Sequence, residues 1–459
     1  MSDWTERRFH FIGIGGAGMS GLALVCARLG AGVTGSDRSD SSYMERLREA
    51  GLEPVVGHDA ANFPIGAEAV VSTAIADDNP ELELARKHGP RPLHRGELLA
   101  ELCAEKRLIA IAGTHGKTTT TAMTAWALRA IGADPAFFVG GEVPGLGPGG
   151  DTANAAWGEG EWVVAEADES DASFLRLQPE VAVVTNVEMD HHSRWGSLAE
   201  LRGAFARFAG PARGLILPGG NELDWLEWLR EDDQERSDSA APRQTVRFDA
   251  SSPGPPALRL AVPGRHNLLN ARAALAAIEL AGLDVAAAAE ALASFPGVHR
   301  RLERKGSRGP VHIYDDYAHH PTEVRAALSA LRELRPSRLI AVFQPHLYSR
   351  TKAMAEEFGA ALALADEVAV LDVYPAREEP VGELAGVSGL RVAEAAAERI
   401  GGKPVWWLPD LETARRALER RLDSGGDLEG TALVTIGAGD VFRLGEALVT
   451  EPATGQGRP

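Results

Sequence analysis

Short apolar runs that end in glycine or acidic residues recur along this chain, and a stretch with helical spacing follows most of them. Residues 9–14 form the first run. Residues 19–29 then repeat apolar positions at the spacing that lines one face of a helix. Further buried strands are predicted at 32–35 and 69–72, with a helix over 43–50 between them. Strand–helix alternation of this kind builds a parallel sheet, and a helix over 96–103 reads as the exit from the unit. A second unit opens at 108–112 (Leu-Ile-Ala-Ile-Ala), with a helix over 118–131 and strands at 162–165, 181–185 and 214–217. Residues 230–257 are charged, then Ser/Pro-rich, and read as loop or weak strand. An Ala-rich helix follows over 267–281. A third unit begins near 311–314, with strands at 339–343, 368–373, 405–408 and 433–436. Residues 451–459 read as a disordered tail.

Composition narrows the class. At 459 residues the chain is too long for one ordinary core. Its 44% hydrophobic and 24% charged residues are those of a soluble globular protein. No apolar run approaches the ~18 residues of a membrane span, and the acidic start, Met1-Ser2-Asp3-Trp4-Thr5-Glu6, predicts no signal peptide. Cys26 and Cys103 each lie in an apolar helical stretch, which fits buried thiols in the reducing cytoplasm. A net charge of −18 argues against nucleic acid as a partner. An anionic substrate would have to be held by local donors, Mg²⁺ and helix N-termini.

Two glycine-rich loops carry the candidate chemistry. Gly13-x-Gly15-x-x-Gly18 leaves a strand and opens a helix, and Asp37 lies about 20 residues further on, the spacing of a dinucleotide fingerprint. The alternative is a structural turn between strand and helix. Gly113-Thr114-His115-Gly116-Lys117-Thr118 is a second phosphate loop, although Ile111 stands where the usual pattern has its first glycine. Backbone N–H groups would cradle phosphates, Lys117 would reach the β/γ oxygens and Thr118 would hold Mg²⁺. Two loops of different kinds imply two phosphorylated ligands, and hence an enzyme using ATP on a nucleotide-linked substrate.

Acidic and histidine clusters sit where parallel strands end. Glu166–Asp171 follows one strand and Thr185–His192 the next, so a divalent metal site is the functional reading and a solvated acidic loop the bland one. In the third unit, Asp315-Asp316-Tyr317-Ala318-His319-His320-Pro321 and Gln344-Pro345-His346-Leu347-Tyr348-Ser349-Arg350-Thr351 read as one binding surface, or else as ordinary loop polarity.

These motifs, in this order, resemble the Mur ligases. Asn267-Leu268-Leu269-Asn270-Ala271, Gly297-Val298-His299-Arg300-Arg301 and Gly437-Ala438-Gly439-Asp440 extend the likeness over nearly the whole chain. The resemblance implies an α/β fold of three domains. These are a Rossmann-like UDP-sugar domain over 1–104, a P-loop-type ATPase with a mostly parallel sheet over 105–308, and a Rossmann-like domain over 309–459. It turns the first loop from NAD to a UDP diphosphate, with Gly15, Gly16, Ala17, Gly18, Met19, Ser20, Asp37, Ser72 and Ala74 as its contacts.

Carried over in the same way, Gly113, Thr114, His115, Gly116, Lys117, Thr118 and Thr119 would hold ATP. Asn267, Asn270, Arg301 and Asp316 would make further nucleotide contacts. Thr118, Glu166 and His191 would bind Mg²⁺, with Mn²⁺ as a substitute. Lys117, Glu166, His191, His319 and Arg350 would be catalytic, and His346 with Arg350 would hold the amino acid. The implied reaction joins L-alanine to the carboxylate of UDP-N-acetylmuramate through an acyl phosphate, for peptidoglycan precursors. The cytoplasm is the expected location, small molecules the partners, and a monomer or weak homodimer the expected state. Three features depart from the wider family: His192-Ser193 replaces Met-Asp, Leu347 replaces an arginine, and 198–210 contains no lysine that could be carbamylated. The last fits the alanine-adding branch. The alternatives are a sister ligase that adds another amino acid or a preformed peptide, and a regulator that binds nucleotide without turnover.

Overall fold

The computed structural model describes residues 3–189, 194–219, 244–249, 258–376, 378–423 and 428–452. The chain divides into two compact units, Met1–Leu260 with Leu268–Phe295, and Ala261–Asn267 with Pro296–Pro459. The first unit holds two sheets and the second holds one.

The first sheet is wholly parallel and ordered β3-β2-β1-β4-β5, from β1 (Arg8–Ile12), β2 (Gly32–Asp37), β3 (Val55–Val56), β4 (Glu68–Val71) and β5 (Leu93–His94). Consecutive strands run outward on one side of β1 and then resume on the other. The topological switch point, where such sheets bind ligands, therefore lies beside the C-terminal end of β1. Helix Ala17–Arg28 starts there, and Arg95–Cys103 closes the unit as expected. Helix Pro80–His88 was not expected. It is capped by Asn79, whose side chain accepts from Glu81 and Leu82 N–H, and Pro80 stands in its first turn.

The second sheet, β12-β11-β10-β6-β9-β7-β8, contains β6 (Arg107–Ala112), β7 (Ala136–Val143), β8 (Ala153–Ala156), β9 (Trp162–Glu166), β10 (Val181–Val184), β11 (Gly214–Pro218) and β12 (Gln244–Phe248). Only β7 and β8 pair antiparallel. Here β6 sits at the switch point, between β10 and β9, and carries the second glycine loop. Within the stretch read as loop or weak strand, 244–248 forms β12 on the sheet's edge.

These two sheets lie in a single compact unit. The reason is a shared core: one buried cluster runs from Phe9 and Phe11 through Ala155 and Phe174 to Phe205. Asn154 on β8 also donates to the carbonyl of Ala17 at 2.7 Å.

The third sheet is ordered β17-β16-β15-β18-β14-β13-β19. It comprises β13 (Glu303–Arg308), β14 (Val311–Asp316), β15 (Arg338–Phe343), β16 (Glu367–Val370), β17 (Val405–Trp407), β18 (Thr431–Ile436) and β19 (Glu451–Pro452). Strand β13 pairs antiparallel with β14. Residues 303–308, placed in the middle domain by a boundary at 308, thus belong to the third sheet. Strand β19 pairs with β13 at Ser307 and Gly306, so 451 and 452, expected in a tail, are strand. Residues 453–459 lie outside the described residues. No helix among the described residues is long and apolar enough to cross a membrane.

Candidate active site

The first glycine loop is tied to the neighbouring strand before any ligand arrives. Gly13 and Ile14 N–H both donate to the carbonyl of Ser36, at 2.8 and 2.9 Å. Gly15 N–H donates to Asp37 Oδ2 at 2.9 Å, so an anionic oxygen already sits on the loop. Ala17, Gly18, Met19 and Ser20 form the first turn of helix Ala17–Arg28, whose N-cap Gly16 offers no side-chain cap. Uncapped first-turn N–H groups attract anions. Ser72 and Ala74 lie just past β4, beside β1, with Ala74 N–H donating to Ser72 Oγ at 3.3 Å.

Beneath this loop lies a buried polar network that sequence reasoning missed. The Glu81 carboxylate accepts from Ser36 Oγ at 2.5 Å, Asn62 Nδ2 at 2.8 Å and Asp59 N–H at 3.1 Å, and meets His10 Nε2 at 3.2 Å. Burial alone would raise its pKa, but these partners outweigh it and hold the carboxyl at about 2.

The second loop needs its glycines. Gly113 has φ 142° and Gly116 φ 81°, and a β-carbon at Gly113 would stand 2.0 Å from Thr185 Oγ1. The loop is braced by the end of β10: His115 N–H donates to Asn186 Oδ1 at 2.9 Å and Thr114 Oγ1 to Glu188 O at 3.0 Å. Asn270 faces the loop, its Oδ1 lying 2.6 Å from where a β-carbon on Gly116 would be.

Lys117 and Thr118 open helix Lys117–Ala130 and meet the acidic segment after β9. Lys117 Nζ lies 2.8 Å from Glu169 Oε2 and donates to Gly113 O at 2.7 Å. Both side chains are nearly enclosed, at 13% and 1% exposure. Burial opposes the charge on Lys117, but Glu169, Asp168 and Glu166 outweigh it and raise its pKa, so the lysine stays protonated. Burial pushes Glu169 up to about 7, against the pull of Lys117 and with a push from Asp168. Asp168, also buried, is held below the usual carboxylate range by Lys117 and Arg95.

Thr118 Oγ1 donates to Glu166 Oε1 at 3.0 Å, and Glu166 Oε2 accepts from Gly140 N–H at 2.7 Å. A hydroxyl beside a carboxylate is a hard, all-oxygen donor set, which suits Mg²⁺. Thr119 is buried on the same helix turn. His191 lies outside the described residues, as does His192. Arg95 also went unnoticed in the sequence. Its Nη2 donates to Asp168 Oδ2 at 2.8 Å and Asp171 Oδ2 at 2.9 Å, joining the acidic segment to the start of helix Arg95–Cys103.

The second unit gathers other expected residues. His319 and His346 rings lie 6.1 Å apart, His346 stacks on Tyr374 at 5.8 Å, and Arg350 Nη1 is 3.5 Å from His346 Nδ1. Leu347 holds φ 70°, strained for a residue with a side chain, and helix Tyr348–Leu362 starts from it. Asp316 is buried, accepts from Leu302 and Ala318 N–H at 2.7 and 2.8 Å, and is pushed up to about 7 by burial. Arg301 lies over the Tyr317 ring at 5.2 Å. Asn267 falls in this unit and donates to Pro263 O at 2.7 Å.

Two glycine-rich loops at two switch points, with a lysine and an acidic strand end on the second, mark a nucleotide-using α/β enzyme. Residues 8–107 match the description "Mur ligase family, catalytic domain", 111–278 "Mur ligase middle domain" and 300–439 "Mur ligase, glutamate ligase domain". The chain belongs to the Mur ligase family. It is 44% identical to the UDP-N-acetylmuramate–L-alanine ligase of Renibacterium salmoninarum, over 97% of this chain and 96% of that one. The enzyme of the same name from Kineococcus radiotolerans is 46% identical, over 95% and 94%. Among solved structures, the UDP-N-acetylmuramate–alanine ligase of Thermotoga maritima superposes with a TM-score of 0.77 at 28% identity, over 96% and 98%.

Proposed function

We propose that the protein is an ATP-dependent ligase that joins L-alanine to the carboxylate of UDP-N-acetylmuramate, releasing ADP and phosphate. The observation that carries this reading is the pairing of a Lys-Thr phosphate loop with a second, lysine-free loop in one compact unit. One loop suits a triphosphate that reacts and the other a diphosphate that is merely held.

A carboxylate does not condense with an amine at neutral pH, because oxide is too poor a leaving group. Transfer of the γ-phosphoryl of ATP to the carboxylate gives an acyl phosphate. Attack by the amine nitrogen on its carbonyl then breaks the C–O bond and expels phosphate, and the amine loses its proton. The protein's share is positioning and charge neutralisation. Lys117, kept protonated by its three carboxylate neighbours, would stabilise the transferring phosphoryl. Thr118 and Glu166, with His191 by family likeness, would hold Mg²⁺, which supplies neutralisation of phosphate charge. Mn²⁺ is the proposed substitute. Gly113, Thr114, His115, Gly116, Thr119 and Asn270 would cradle ATP, and Asn267, Arg301 and Asp316 would make further nucleotide contacts. The loop at Gly15–Ser20, with Asp37, Ser72 and Ala74, would hold the sugar nucleotide. In the second unit His346 and Arg350 would take the amino-acid carboxylate beside His319. Small molecules would be the only partners, and the cytoplasm the place of work.

Phosphate release with UDP-N-acetylmuramate and a panel of amino acids tests the proposal. Release should require the sugar nucleotide and be fastest with L-alanine. Faster release with another amino acid or a preformed peptide would make it a sister ligase. No release under any combination would leave a nucleotide-binding regulator.

A further inference from the structure

Arg95 stands between the two loops. Its Nη2 is committed to Asp168 and Asp171, at 2.8 and 2.9 Å, and its Nη1 lies 3.2 Å from where a β-carbon on Gly18 would be. The other edge of the guanidinium is thus laid against the first turn of helix Ala17–Arg28, close enough that a β-carbon at 18 would crowd it. That turn has no side-chain cap, and the Gly15 N–H just before it already donates to an anionic oxygen of Asp37. The Arg95 side chain is 23% exposed, so it is enclosed enough to be oriented and open enough to be reached.

We infer that Arg95 binds the diphosphate of the sugar nucleotide through Nη1, oriented by the carboxylates of Asp168 and Asp171. The inference rests on the first loop being the diphosphate site. A guanidinium presents its N–H groups as a flat fork, which suits an arrangement of two carboxylates on one side and phosphate oxygens on the other. The two carboxylates belong to the segment that also carries Glu166 and Glu169, so the same side chain connects the sugar-nucleotide loop to the ATP loop. Asp168 and Asp171 are positioning residues in this scheme and touch no substrate.

Calorimetric titration of the full chain with UDP and, separately, with Mg²⁺ and ADP tests the assignment. Arg95→Ala should weaken UDP by about 10- to 100-fold, the loss of one charge-assisted hydrogen bond, and leave ADP within about threefold. Asp171→Asn should weaken UDP by a smaller factor and have no further effect in the Arg95→Ala background, because the carboxylate acts only through the arginine. UDP affinity within threefold of wild type in Arg95→Ala would overturn the inference. So would equal losses for both nucleotides, or an Asp171→Asn effect that persists undiminished without the arginine. A loss confined to UDP-N-acetylmuramate and absent with UDP would move the contact to the muramoyl carboxylate and equally overturn it. If Arg95→Ala fails to fold, Arg95→Lys decides. It keeps the charge but not the fork, so UDP weakened at least threefold with ADP retained supports the assignment, and unchanged UDP refutes it. Wild type that binds no UDP would overturn the reading of the first loop itself; a loss that fails to appear in the variants overturns the Arg95 assignment alone.

Discussion

Replacing Lys117 with alanine removes the cation that lies 2.8 Å from Glu169 and within the field of Asp168 and Glu166. Two consequences can be separated. In catalysis, the phosphoryl proposed to transfer would lose a positive side chain. Deleting one such stabilising group costs about 10²–10³ in rate, roughly 3–4 kcal/mol. In stability, halving a buried ion pair commonly costs about 3–5 kcal/mol. Here the loss at neutral pH should be smaller, because Glu169, already pushed up to about 7, can take a proton. A carboxyl whose folded pKa is raised contributes stability that is present at low pH and lost as pH rises through that value. Lys117→Ala should therefore be more destabilised at pH 8 than at pH 6. Adding Glu169→Ala should recover stability at pH 8 without recovering turnover. The assays are phosphate release and thermal unfolding at both pH values, with UDP binding as a control that stays near wild type. Turnover within tenfold of wild type would refute the role of Lys117. Recovery of turnover in the double variant would show that the damage came from the uncompensated carboxylate and not from the missing cation.

Four further outcomes follow from particular contacts. Gly15→Val should abolish UDP binding and spare ADP, since even a β-carbon at position 15 meets Asp37 Oδ2 and Ser41 Oγ at 3.0 Å; retained UDP affinity in a titration would contradict the loop's assignment. Glu81→Gln should remove about 3 kcal/mol of stability that wild type has above pH 4.5 and loses as pH falls toward 2, read by denaturant unfolding across that range. Glu166→Gln should raise the Mg²⁺ concentration for half-maximal rate, and an unchanged metal dependence would exclude its carboxylate as a ligand. By family likeness His191→Ala should raise it as well and His192→Ala much less, with Mn²⁺ effective at lower concentration than Mg²⁺; identical behaviour of the two variants would show the register to be wrong.

Local pattern revealed the elements whose residues share one strong tendency. Strand β10, and β6 and β15 after their first arginines, are apolar and buried on both faces, so no tertiary information was needed to read them. The missed elements have mixed signals. Strand β7 has Gly140 and Gly141 in its middle, β8 is Ala-Asn-Ala-Ala, and β13 is Glu-Arg-Lys-Gly-Ser-Arg, polar almost throughout. Their pairing comes from neighbouring strands and not from their own propensity. Helix Val285–Leu292 is different. It is Ala-rich, and Asp284 accepts from Ala286 and Ala287 N–H, so both signals were present in the sequence and went unread.

For the site, the distinction falls between residues held by a motif and residues held by an encounter. Lys117 and Thr118 are legible because a loop of fixed length leads from strand to helix, and their position follows from the spacing alone. Glu166 is legible because it ends a strand beside that loop. Glu169 and Arg95 have no such spacing. Glu169 is one of four carboxylates between 166 and 171, and only the turn after β9 selects it for Lys117. Arg95 opens a helix like many other arginines, and its value comes from Asp168 and Asp171, more than 70 residues away by the separations of 73 and 76. Asp316 shows the reverse case. Its motif singled it out as a nucleotide contact, whereas its two carboxylate oxygens are occupied by the N–H groups of Leu302 and Ala318, so it also holds the turn between β14 and its helix. A motif thus marks where chemistry can be placed, and the packing between sheets determines which carboxylates and cations serve it.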